Sequence, residues 1–139
     1  MNEIKEFAGR HFFLSNFYSA PVYYNGFHFS NNEAAFQGSK DLSRMKEFTE
    51  LNPSKAKQLG RRVKLRKDWE EVKTNIMYDI CLAKFTQNQD LKEKLLKTGN
   101  AILIEGNWWN DTYWGVCNGI GENNLGKILM KIREELKNG

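Results

Sequence analysis

Apolar residues recur along this 139-residue chain with two different periods. Near the N-terminus, "PVYYNGFHF" sets β-branched and aromatic residues on both sides of Asn25-Gly26. That dipeptide accepts the positive φ values of a two-residue turn, so the stretch predicts a β-hairpin with Val22 and Tyr24 facing Phe27 and Phe29. A helical period takes over next. "FSNNEAAFQGSK" predicts a helix with Ser30 as N-cap and with Glu33, Phe36 and Lys40 on one face. "NPSKAKQLG" predicts a second helix, with Pro53 at its first position and Gly60 as its stop. In "DWEEVKTNIMYDICLAKF" the stripe Trp69, Val72, Ile76, Ile80 and Ala83 marks a third, opened by a capping box of Asp68 and Glu71. "DLKEKLLKTG" predicts a short fourth helix ending at Gly99, and "AILIEG" a buried strand. A last helix, "NLGKILMKIREELK", buries Leu125, Ile128, Leu129, Ile132 and Leu136. Between strand and helix, "NWWNDTYWGVCNGIGENN" follows neither period, and a segment this long and this aromatic reads as functional. The expected fold is α+β: one helix-rich domain over residues 1–139 with a small β-hairpin and sheet component.

Composition removes several function classes. No run of eighteen apolar residues is present and "MNEIKEFAGR" lacks a signal-peptide core, so the expectation is a cytoplasmic protein without a membrane partner. Cys81 and Cys117, with His11 and His28, are too few for a disulfide framework or a metal cluster, so neither metal nor cofactor is expected. A net charge of +4 admits an anionic ligand such as a phosphate. The lysines are scattered through the helical segments and do not form a nucleic-acid-binding tail.

Each candidate for chemistry has a plain alternative. Glu33 completes a capping box with Ser30, or it is an acid facing a cleft. Lys40 is a solvated lysine, or an amine drawn against Phe36 whose lowered pKa makes it a nucleophile. Trp69 begins the core face of its helix, or it walls a site on which a planar base stacks. Asp111 closes an Asx-type turn, or it is a carboxylate held among rings. The glycines at 115, 119, 121 and 126 form a plain loop, or they offer backbone amides to a phosphate.

Taken together, "FFLSNFYSAPVYYNG", "NNEAAFQGSK", "LGRRVKLRKDWEEVKTNIM", "KFTQN", "LLKTGNAILIEGN" and "NDTYWGVCNGIGENNLGKILMKIREEL" resemble, in order and spacing, the successive signatures of NADAR proteins, the YbiA-like N-glycosidases. The resemblance implies hydrolysis of an N-glycosidic bond between ribose and an aminated base. ADP-ribose on guanine, in DNA or as nucleoside, is the leading substrate. A phosphoribosylated guanine-like substrate is implied beside it; ribosylamino intermediates of riboflavin synthesis are the alternative, and a non-catalytic ADP-ribose or nucleotide reader is a third reading. A cognate ADP-ribosyltransferase and DNA carrying ADP-ribose are the partners it implies. Carried over position by position, Lys40, Glu33 and Asp111 are catalytic, with Lys40 forming an imine with the opened ribose. Asn16, Phe17, Phe36, Gln37, Arg61, Trp69, Trp114, Gly119, Gly121 and Asn123 bind substrate. Ala34 and Ala35 stand where relatives can have His and an aromatic residue, and Asn124 where they can have Arg.

Overall fold

The computed structural model describes residues 2–139. In chain order its elements are β1 (Glu3–Ile4), β2 (Ser19–Tyr24), β3 (Phe27–Asn31), α1 (Asn32–Gly38), α2 (Pro53–Gly60) and α3 (Trp69–Gln87), followed by α4 (Gln89–Lys97), β4 (Ile102–Leu103), β5 (Gly106–Asn107), β6 (Val116–Cys117) and α5 (Asn124–Asn138). Short 3-10 helices span Gly9–Leu14 and Leu42–Phe48. About half of the chain is helical and the sheets are small, an α+β fold. It divides into two compact units, one of Asn16–Asn88 and one of Met1–Ser15 with Gln89–Gly139.

In the 16–88 unit, Asn25 and Gly26 take φ of 53° and 86°, the pair of positive values that a tight hairpin turn requires. β2 and β3 pair antiparallel with Tyr24 opposite Phe27 and Val22 opposite Phe29. Val22 and Phe29 are buried, so this hairpin covers core as its ring-rich sequence suggests.

β3 runs straight into α1, and this corrects the expected cap. Asn31 still pairs with Ser19, so the chain stays extended through residue 31 and the helix starts one residue later. Asn31 is the cap, accepting from the Ala34 amide at 2.8 Å. Ser30 remains in the strand, and no Ser30–Glu33 capping box holds the Glu33 carboxylate. The helix is also short. It ends at Gly38, with the Ser39 amide bonded back to the Ala35 and Phe36 carbonyls, so Lys40 lies just past the helix. A Cβ at residue 38 would press on Met45 and Phe48 at 3.2 and 3.3 Å, which is where the chain folds back over α1.

Asn52 caps α2 through the Lys55 amide at 2.9 Å, with Pro53 in the first turn. Asp68 is the N-cap residue of α3 as expected, but its side chain makes no cap bond, because the carboxylate takes the Arg66 guanidinium at 2.7 and 3.1 Å. The buried face of α3 is wider than the predicted stripe. Met77, Cys81, Lys84 and Phe85 join Trp69, Ile76 and Ile80, while Val72 and Ala83 are half-buried. Packing against both α1 and β2 accounts for that width.

In the other unit, β1 pairs parallel with β4, Glu3 opposite Ile102 and Ile4 opposite Leu103. The expected strand is thus only two residues long, with Leu103 buried and Ile102 45% exposed. Leu125, Ile128, Leu129 and Ile132 of α5 are buried, and α5 packs on β4 and α4; Leu136 is half-buried. The aperiodic segment contains a parallel pair, β5 with β6, that alternation could not reveal in strands of two residues. No helix among the described residues is long and apolar enough to cross a membrane.

Candidate active site

The 16–88 unit gathers eight of the expected site residues. Glu33 stands in the first turn of α1 and is 8% exposed. Its amide donates to the Asn16 carbonyl at 3.0 Å, and its Oε2 accepts from Gln37 Nε2 at 2.7 Å. This i,i+4 bond holds the carboxylate in one orientation. Gln37 is fixed in turn by α2. A Cβ at residue 60 would collide with Gln37 Oε1, so only glycine there leaves room for the carboxamide. That Oε1 and Asn32 Oδ1 are the two buried side-chain atoms without a hydrogen-bond partner among the described residues.

Beneath Glu33 lies a buried amide pair. Asn32 Nδ2 donates to Asn16 Oδ1 at 3.1 Å, and Asn16 Nδ2 reaches Met77 Sδ at 3.4 Å. Cys81 Sγ lies 3.6 Å from Asn32 Nδ2, and burial pushes its thiol up to about 12. Such a thiol stays protonated and unreactive.

Lys40 sits past the end of α1 with its Nζ 5.9 Å from the Trp69 ring centroid. Arg66 anchors this turn: its amide bonds the Lys40 carbonyl at 2.9 Å and its Nη1 the Ser39 carbonyl at 3.3 Å. Burial lowers the Lys40 pKa from its ordinary value; Arg61 and Lys57 push the same way, and Glu33 opposes them. A lysine in that situation holds a larger share of neutral, nucleophilic amine. Phe36 and Trp69 pack at 5.0 Å between centroids, and Trp69 is only 6% exposed. Trp69 therefore belongs to the core as well as to the site, and little of its face is open to a stacked base. Phe17 is 37% exposed and carries Lys57 Nζ at 5.7 Å from its centroid. It also lines a recess of about 240 Å³ with Asn31, Leu51, Asn52 and Pro53, a recess that touches none of Glu33, Lys40 or Arg61.

The other unit holds Asp111, Trp114, Gly119, Gly121 and Asn123. Asp111 Oδ1 accepts from the Trp114 amide at 3.0 Å, the Asx-type turn of the plain reading. Asn123 braces the backbone, accepting from the Glu105 amide and donating to the Leu103 carbonyl, both at 2.9 Å. Gly119 and Gly121 take φ of 77° and 154°. The amides of Ile120, Glu122, Asn123, Asn124 and Leu125 already donate to carbonyls of the same segment. Those five donors are not open to a phosphate as the expected cradle would need.

Sequence reasoning missed two cations. Lys84 is 1% exposed among the Tyr18 and Phe85 rings, and burial lowers its pKa to about 8. Its spacing four residues after Ile80 put it on the apolar stripe, a signal available in the sequence. Lys57 stands four residues before Arg61, and the same rule places both on one face of α2.

Similarity to known proteins extends over nearly the whole chain. The NADAR domain model matches residues 4–137, across both units. The chain is 44% identical over 107 residues to N-glycosidase Npun_R5314 of Nostoc punctiforme, covering 74% of this chain and 68% of that one. To N-glycosidase YbiA of Escherichia coli it is 40% identical over 129 residues, 88% of this chain and 80% of the relative. The solved NMR structure of that protein superposes with a TM-score of 0.85 at 35% identity, covering 97% of this chain and 83% of the other. A longer protein of Vibrio vulnificus, riboflavin biosynthesis protein VVA0006, is 35% identical over 133 residues, 91% of this chain and 36% of that one. With a family match over nearly its whole length and relatives at this identity, the chain belongs to the NADAR family.

Proposed function

We propose that this protein is an N-glycosidase, a hydrolase that cleaves the bond between ribose and an aminated base, and that ADP-ribose on guanine is its preferred substrate. One observation carries the reading: an amine whose pKa burial lowers lies near a carboxylate that a glutamine holds in place. The names of the two N-glycosidase relatives support the reaction class. A non-catalytic reader has no need of a desolvated amine beside an acid.

In the reaction, neutral Lys40 Nζ adds to the anomeric carbon and the bond to the base nitrogen breaks. The electron pair leaves with that nitrogen, which takes a proton from Glu33. A proton then passes from the new C–N centre to the ring oxygen, the ring opens, and a protonated imine joins Lys40 to the sugar. Glu33, now ionised, takes a proton from water, and the hydroxide adds to the imine carbon. Collapse of that adduct returns the amine to Lys40 and frees the sugar. Gln37 keeps the carboxylate in line through both proton transfers. No step is assigned to Asp111.

Hydrolysis of a ribosylated intermediate of riboflavin synthesis is the second reading, supported by the similarity to VVA0006. Incubation with ADP-ribosylated guanine, as nucleoside and in DNA, and with a phosphorylated ribosylaminopyrimidine tests both. Mass spectrometry should find free guanine and ADP-ribose released fastest. Faster release from the pyrimidine reverses the order, and no release from any of the three sinks the N-glycosidase reading.

A further inference from the structure

We propose that Lys57 and Arg61 form an anion subsite that takes a phosphate group carried on the ribose of the substrate. The subsite deepens the N-glycosidase reading and rests on it for the identity of the ligand.

Three observations carry it. Lys57 lies in the last turn of α2 and Arg61 is that helix's C-cap, four residues on, so both side chains leave the same side. Gly60, which lies between them, packs against Gln37, the residue that bonds Glu33, so this end of α2 abuts the proposed catalytic acid, and both cations act on the Lys40 amine. Neither has a carboxylate: the ion pairs among the described residues are Arg44–Glu47, Arg66–Asp68, Lys73–Glu70 and Lys137–Glu134. The contrast with Arg66 is instructive, since Asp68 and the Ser39 carbonyl engage its guanidinium while Arg61 is exposed without such a partner. Lys57 is half-buried over the Phe17 ring, which restricts its ammonium group to that side of α2.

Lys57 and Arg61 are two like charges on one side of α2 without a carboxylate of their own, and their mutual repulsion makes that arrangement favour a bound anion. The C-terminal end of α2 carries partial negative charge, which suits the two cations and leaves the anion dependent on them. Arg61 offers a planar pair of donors to phosphate oxygens, and Lys57 a point charge. A phosphate there would offset part of the field that lowers the Lys40 pKa. Burial, the first cause of the lowered pKa, is not removed by occupation.

Binding can be read without turnover. The full chain is titrated with inorganic pyrophosphate, ribose 5-phosphate, ADP-ribose and unphosphorylated ribose by calorimetry and NMR. The three phosphorylated probes should saturate and ribose should not; tighter binding of ADP-ribose than of ribose 5-phosphate identifies a diphosphate as the preferred group. Lys57→Gln and Arg61→Gln should each weaken binding about tenfold or more, the scale of a lost charge-assisted contact. Arg62→Gln, at the exposed neighbour, should not change it, and melting curves should be alike for all variants. Unchanged affinity in the Lys57 and Arg61 variants, equal loss in Arg62→Gln, or no saturable binding overturns the subsite. Phosphate-independent turnover removes the subsite while the N-glycosidase reading stands, and phosphate binding without turnover does the reverse.

Discussion

The two units bury different things. Among the described residues, the buried polar and charged side chains, Asn16, Asn31, Asn32, Glu33, Gln37, Ser39 and Lys84, all belong to the 16–88 unit. The other unit buries Ile4, Phe13, Leu91, Leu95, Leu103, Leu125, Leu129 and Ile132 without such company. Glycines divide in the same way. Gly60 makes room for a side chain, Gln37, that holds an acid, whereas Cβ atoms at Gly106, Gly115, Gly121 and Gly126 would collide with the backbone carbonyls of Lys5, Glu105, Gly115 and Leu103. One unit accepts the cost of polar burial and so positions chemistry; the other uses close backbone approach to fix an irregular chain.

That contrast is broken most directly at Lys40. Lys40→Arg keeps the charge but cannot form an imine, and should lower turnover at least a thousandfold, as expected for loss of a nucleophile. Its fold should be unchanged by circular dichroism. Borohydride added during turnover should join the sugar to Lys40 of the wild type. Comparable turnover in the arginine variant, with nothing trapped, would favour direct attack by water assisted by Glu33.

Two glycine substitutions test the division next. Gly60→Ala should displace Gln37 and cost on the order of a hundredfold in kcat through a misplaced Glu33. Gly126→Ala meets the Leu103 carbonyl instead, and should destabilise by about 1–3 kcal/mol while the folded fraction keeps its kcat. Denaturant titration beside steady-state kinetics separates them. Equal effects on kcat would erase the distinction between the units.

Lys84 sharpens the comparison through pH. Its folded pKa is lowered from 10.5 to about 8, so both states are protonated below 8 and stability is flat there. Between pH 8 and 10.5 the unfolded chain binds the extra proton, and stability from this group rises with pH. At ~1.4 kcal/mol per pH unit that rise totals about 3 kcal/mol. Cys81, pushed up to about 12, acts in the opposite sense above pH 9, where the unfolded thiol ionises first. Lys84 itself lowers the Cys81 pKa, so the difference between wild type and Lys84→Met is read between pH 8 and 9, before the unfolded thiol ionises, and should grow in favour of wild type there. A difference independent of pH would mean that Lys84 is not buried as a charge-averse amine.

The smallest effects concern the start of α1. Asn31→Ala should cost about 1 kcal/mol by removing the cap, and Ser30→Ala no more than about 0.5 kcal/mol. The reverse ranking would restore Ser30 as the cap.

Where a few neighbouring residues set the backbone, the sequence was sufficient. Asn25-Gly26 determined the hairpin and Asn52-Pro53 the start of α2, because turn and cap geometries depend on the residues that make them. The spacing of Leu125, Ile128, Leu129 and Ile132 likewise determined the buried face of α5. Glu33 and Lys40 were visible as candidates from their spacing and from the family resemblance, although Lys40 lies past the helix that the spacing assumed. What they do there was decided by residues distant in the chain. Strand pairing at Ser19 moved the cap from Ser30 to Asn31, Gly60 left room for the Gln37 carboxamide that bonds Glu33, and Arg66 tied down the turn of Lys40. The burial of Lys84 and the approach of Lys57 and Arg61 to Lys40 belong to the same class. Desolvation and charge pairing depend on what packs across the fold, and no local pattern encodes the far side of a contact.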